Sequence, residues 1–123
     1  MPLILNISDN VVCARLSGEI DHHGAKALRE QIDSAAERVR PELLELDFSA
    51  VTFMDSSGIG LIMGRCRLME SLGGRVRVSG VSGQLGKVLR LSGIDRVAAI
   101  DRAESPARSK KDQERRRADE TDQ

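Results

Sequence analysis

Asp55-Ser56-Ser57-Gly58 sets a carboxylate, two hydroxyls and a glycine between the end of an apolar run and the start of a helical pattern. Asp55 or Ser56 can cap that helix by accepting a hydrogen bond from an early backbone N–H. The remaining free N–H groups and the positive end of the helix dipole favour an anion. A phosphate added to Ser57, in the first turn, would meet a compatible field. The tetrapeptide alone is also an ordinary helix cap, so its context must decide. Other reactive groups are few. A serine nucleophile would need His22 or His23 as base with an acid behind it, and the hydrolase G-x-S-x-G pattern is absent. His22-His23 has no cysteine or third histidine at ligand spacing, so no metal is expected. There is no Walker G-x-x-x-x-G-K-[ST]. Weak nucleotide binding at the Ser56–Gly60 helix start remains an alternative reading. Cys13 and Cys66 lie outside any C-x-x-C and read as buried, unpaired thiols. No catalytic residue and no cofactor are assigned, and the chain is not read as an enzyme.

The elements that must position this stretch follow from periodicity. Leu3 to Ile7 and Val11 to Leu16 are β-rich runs around Asp9-Asn10, a hairpin signal. Gly18 is expected to end the second strand. Ala25, Leu28, Ile32, Ala35 and Val39 form one helical stripe, opposite Lys26, Arg29, Glu30, Asp33 and Glu37. Asp21 can cap that helix and Pro41 closes it. Leu43 to Phe48 is a strand feeding the Asp55–Ser57 turn, and Leu43 with nearby Val51 and Phe53 suggests that much of it is buried. A helix from about Ser57 to Leu72 carries Ile59, Ile62, Cys66 and Met69 on one face. Gly60 and Gly64 each cost about 1 kcal/mol against alanine there, which suggests close packing against a strand or a partner. Gly73-Gly74 ends this helix. Met63 and Arg67 are candidate outer-surface contacts. Val76 and Val78 mark a short strand, Ser82 can cap a helix through Leu91, and Val97 to Ile100 is a weak last strand. Strands alternating with helices predict an α/β fold with a mostly parallel sheet entered by one hairpin.

The totals narrow the function classes. A chain of 123 residues fits one domain. The net charge is +0, so nothing global draws it to nucleic acid or membrane. Aromatics are 2 % of the chain, with no Trp or Tyr, which leaves no base-stacking platform. No apolar run nears the roughly 18 residues a membrane span needs, and the N-terminus lacks a signal-peptide pattern. The expectation is a soluble, cytoplasmic protein without direct nucleic-acid or membrane contact. Residues 101–123 are dense in charge of both signs and hold only alanine as apolar residues. They read as a disordered tail, Arg115-Arg116-Arg117 included, after a domain spanning 1–100.

Taken in order, Gly18-Glu19-Ile20-Asp21-His22-His23, Leu46-Asp47-Phe48, Phe53-Met54-Asp55-Ser56-Ser57-Gly58-Ile59-Gly60, Gly64-Arg65 and Gly73-Gly74 resemble the anti-sigma factor antagonists of the STAS family. The likeness is greatest to the sporulation branch that acts on the sigma F system. It implies a STAS fold: a small mixed sheet of four to five strands with an N-terminal hairpin and about three helices packed largely on one face. It also implies partner switching. The unphosphorylated protein would bind an anti-sigma factor that is itself a serine kinase, and so free the sigma factor. Phosphorylation at Ser57 would switch it off, and a PP2C-type phosphatase would restore it. Asp21, Asp55, Ser56, Ser57 and Gly58 are the residues so implicated in partner binding. The alternative is a STAS-type nucleotide-binding or other interaction module without a sigma-factor role. The family usually ends in an amphipathic helix, and residues 101–123 lack the apolar stripe for one.

Overall fold

The computed structural model describes residues 2–102. The expected tail beyond them, and the question of a final amphipathic helix, lie outside the described residues. The hairpin comprises β1 (Leu3–Ser8) and β2 (Val11–Ile20), paired antiparallel from Leu3↔Leu16 to Ser8↔Val11. Asp9 takes φ 51 in the turn, a left-handed conformation that Asp tolerates. Then follow α1 (His22–Val39), β3 (Leu43–Met54), α2 (Ser56–Ser71), β4 (Arg75–Val81), α3 (Gly83–Leu91) and β5 (Ala99–Arg102).

The sheet order is β1-β2-β3-β4-β5, with every pair after the hairpin parallel. Each crossover steps to the next strand in the same direction. Right-handed crossovers therefore place α1, α2 and α3 on one face. The burial pattern agrees: Val12, Ala14 and Leu16 of β2, Leu44, Leu46 and Phe48 of β3, and Val76 and Val78 of β4 are all buried. They meet Leu28 and Ile32 of α1, Leu61, Ile62 and Met69 of α2, and Leu89 of α3 in one aliphatic cluster.

The opposite face is polar. Cys13, Glu45 and Arg77 are cross-strand neighbours, as are Arg15, Asp47 and Ser79. The Ser79 hydroxyl donates to Glu45 Oε2 at 2.9 Å. Cys66 is buried as expected, whereas Cys13 is only half-buried, because it points to this polar face. Burial, with Glu45 and Asp47 nearby, pushes the Cys13 thiol above its ordinary range.

Three expectations are corrected. Gly18 does not end β2. It takes φ +78 beside a register shift, and the strand runs on to Ile20, which is fully buried. Phe53 is not buried but 56 % exposed. Beyond Asp47↔Ser79, β3 loses β4 as a partner and pairs with β2 alone, so its last residues form an uncovered edge. Finally, β5 begins two residues later than expected, after a short 3-10 turn at Ile94–Arg96, and it carries the ladder to Arg102.

Helices α1 and α2 are joined by a charge pair that their apolar stripes do not reveal. Arg65 is 5 % exposed. Its Nε lies 2.7 Å from Asp33 Oδ1, and its Nη2 donates to Asp33 Oδ2 at 3.3 Å. Burial pushes the Asp33 carboxyl up and the Arg65 guanidinium down, each against the pull of the other. Desolvation thus outweighs the attraction, as is common for buried pairs. Removing the two partners should have unequal effects. Asp33→Asn strands a buried guanidinium and is expected to destabilise by about 2–4 kcal/mol. Arg65→Met leaves a carboxylate that water can reach and should cost well under half of that. Urea unfolding midpoints of the two variants check the asymmetry.

Candidate functional site

The site forms where β2 and β3 end. The N–H of Asp55 donates to the carbonyl of Ile20 at 3.2 Å, so the residue after β3 is tied to the last residue of β2. Asp21 and Asp55 are each the next residue along, and each caps a helix. Asp21 Oδ1 accepts from the Gly24 N–H at 2.7 Å. Asp55 Oδ1 accepts from the Ser57 N–H at 2.8 Å. Of the two caps foreseen for α2, Asp55 takes the role and leaves Ser56 exposed. Helices α1 and α2 thus begin side by side at the carboxyl ends of parallel strands, the usual place for a ligand in an open α/β sheet.

Ser57 sits half-buried in the first turn of α2. It opens onto a groove of about 480 Å³ between α1 and α2, lined by His22, His23, Ala25, Lys26, Arg29, Ser57, Gly60 and Leu61. A second groove of about 470 Å³ lies on the other flank, where Asp55 and Ser56 meet Phe53, Ile59, Leu85 and Val88. Its wall is apolar, with Phe53 56 % and Val88 43 % exposed. The Asp55–Ser57 turn is a ridge between a cationic groove and an apolar one.

Asp21, Asp55, Ser56 and Ser57 are brought together on this ridge. Gly58 lies behind it: it is buried, and a Cβ there would run into the Met54 side chain. Its lack of a side chain serves the packing of α2 on β3. Gly60 and Gly64 are the reverse case, since a Cβ at either meets no described heavy atom within 4 Å. The expected close packing against a strand is therefore not their reason. Met63 and Arg67 are not brought to Ser57; they line a separate depression with Arg75 and Arg96. Lys26 and Arg29 were read only as the polar side of α1. Their spacing with His22 at i, i+4 and i+7 is the signal that puts all three on one face.

The imidazoles of His22 and His23 share the groove with Ser57, and Asp21 and Asp55 each accept from a backbone N–H. Among the described residues no group of three or more His, Cys, Asp or Glu converges as a metal site. No described helix is long and apolar enough to cross a membrane. Because Asp55 holds the first turn of α2, Asp55→Ala should destabilise the chain by about 0.5–2 kcal/mol while Asp55→Asn retains most of the cap. Thermal midpoints of both variants test this.

The STAS domain model matches residues 3–107. The anti-sigma F factor antagonist of Paenibacillus polymyxa is 39 % identical over 90 residues, which is 73 % of this chain and 77 % of that protein. The solved structure of the anti-sigma factor antagonist SpoIIAA in its unphosphorylated form superposes with TM-score 0.70 at 30 % identity, covering 87 % of this chain and 91 % of the other. The phosphorylated form of the Bacillus cell fate determinant SpoIIAA gives TM-score 0.66, also at 30 % identity, covering 87 % and 95 %. With the hairpin-entered sheet and the capped Asp55–Ser57 turn, these likenesses settle the lineage: the chain belongs to the STAS domain family, among proteins related to the anti-sigma factor antagonists.

Proposed function

We propose that the chain is a cytoplasmic anti-sigma factor antagonist that works by partner switching, with Ser57 as the phosphoacceptor. The observation that carries this reading is the placement of Ser57. Its hydroxyl lies in the first turn of α2, on a ridge shared with Asp21, Asp55 and Ser56, with an open groove on either flank. Such a ridge suits insertion into a partner. The exposed Phe53 and Val88 beside it offer the apolar area that anchors an interface.

In the unphosphorylated state the ridge binds an anti-sigma factor and displaces the sigma factor it holds. That partner is also the serine kinase. The Ser57 Oγ attacks the γ-phosphorus of ATP, the bond to the β-phosphate oxygen breaks, ADP leaves, and the hydroxyl proton passes to a base on the kinase. A PP2C-type phosphatase returns the serine by hydrolysis. The phosphate adds about −1.5 to −2 charge. In the free protein the α2 N-terminus and solvent accept it. In a closed interface it must lose water next to the carboxyl groups of Asp21 and Asp55. The relation to sigma F antagonists makes sporulation the favoured pathway.

Intact-mass analysis after incubation with ATP and a cognate anti-sigma kinase tests the assignment. Wild type should gain one phosphate and Ser57→Ala none. A phosphate on both would move the acceptor, and none on either, with the kinase active on another antagonist, would refute the switching role.

A further inference from the structure

The groove beside Ser57 has a charge arrangement that a phosphoacceptor alone does not require. His22, His23, Lys26 and Arg29 all come from α1, and all four are exposed. The facing α2 wall, Ser57, Gly60 and Leu61, carries no charge. The acids of α1 lie elsewhere: Glu30, Asp33 and Glu37 line a different depression with Ser34 and Arg38. Asp33 is moreover engaged by Arg65 at 2.7 Å. Asp21 and Asp55 do not line this groove, and each places an oxygen on a backbone N–H, Asp21 on Gly24 and Asp55 on Ser57. So the charged α1 side chains that line the groove are basic, and the acids of α1 line the other depression. Like charges clustered on one helix face are unfavourable by themselves, and an anion between them would reverse the sign of that effect.

The floor of the groove points the same way. Gly60 lies three residues after Ser57, on the same side of α2, and is exposed. Nothing described stands within 4 Å of where its Cβ would be. The fold does not need a glycine there, and the missing side chain keeps space open next to the Ser57 hydroxyl.

We infer that this groove receives the phosphoryl group of phosphorylated Ser57, with Lys26 and Arg29 pairing its oxygens across the gap between the helices. The inference rests on Ser57 being the acceptor, and it adds a second arm to the switch. Besides adding negative charge to the ridge, phosphorylation neutralises the cationic face of α1. A partner that had matched that face with acidic groups loses its counter-surface without any backbone movement.

The test uses full-length chain with phosphoserine placed at position 57 during translation, so that occupancy depends on no kinase. Titration of the phosphoserine by ³¹P NMR is compared with the same protein carrying Lys26→Gln and Arg29→Gln. Both replaced side chains are exposed, so the variant should fold, and thermal midpoints of the unmodified proteins confirm it. In the wild-type groove the second ionisation should fall about one unit below that of the double variant, because nearby cations favour the dianion. Identical titration curves would overturn the inference while leaving Ser57 free to be the acceptor. Failure of a cognate kinase to modify Ser57 would instead refute the acceptor assignment, whatever the titration shows.

Discussion

One backbone hydrogen bond sets the geometry of the site: the Asp55 N–H donates to the Ile20 carbonyl at 3.2 Å. It extends the parallel β2–β3 ladder by a residue and fixes where both following helices start. Asp21 and Asp55 are then forced to be neighbours, and each becomes a cap because its helix begins there. Two helix N-termini side by side bring two positive dipole ends together, an arrangement that favours negative charge nearby. Two carboxylates already answer that preference in the unmodified protein. A third negative group at Ser57 enters a place that is electrostatically prepared but already partly filled.

On the proposed reading, that balance would make a small covalent change effective. With solvent on one side and α1 cations on the other, a phosphate on Ser57 is tolerable in the free protein. Buried under a partner, it would share a desolvated space with Asp21 and Asp55. No hinge or rearranged core is required, because the difference lies in solvation and charge at one side chain. Two contacts brace the site from behind. Residue Gly58 packs against Met54 under the ridge. The Arg65–Asp33 pair ties α2 to α1 along the far end of the same helix interface. A loop free to relax would spread the added charge into solvent and blunt the switch.

Much of this was legible in the sequence, for identifiable reasons. Regular alternation located the hairpin and β3, and helical periodicity located α1, α2 and α3, because burial on one face leaves a strong repeat. Caps at Asp21, Asp55 and Ser82 were readable because short polar side chains before apolar stripes have few other uses. What escaped depends on tertiary placement. Gly18 looked like a strand end, but at φ +78 it supports a bulge that only a neighbouring strand can define. Phe53 looked buried, since nothing local says that β4 stops pairing at Ser79. The pairing of Arg65 left no local signal, because its partner Asp33 lies 32 residues away on another helix. Lys26 and Arg29 were seen as a solvated face; only the docking of α1 against α2 shows that this face looks at Ser57.

The central claim is that charge at Ser57 governs partner binding. Calorimetric titration of an anti-sigma factor with the unmodified chain and with the chain carrying phosphate at Ser57 measures it directly. The account predicts a dissociation constant at least about a hundredfold weaker for the phosphorylated chain, or roughly 3 kcal/mol, with heat-capacity evidence of the same fold in both. Equal affinities would contradict it.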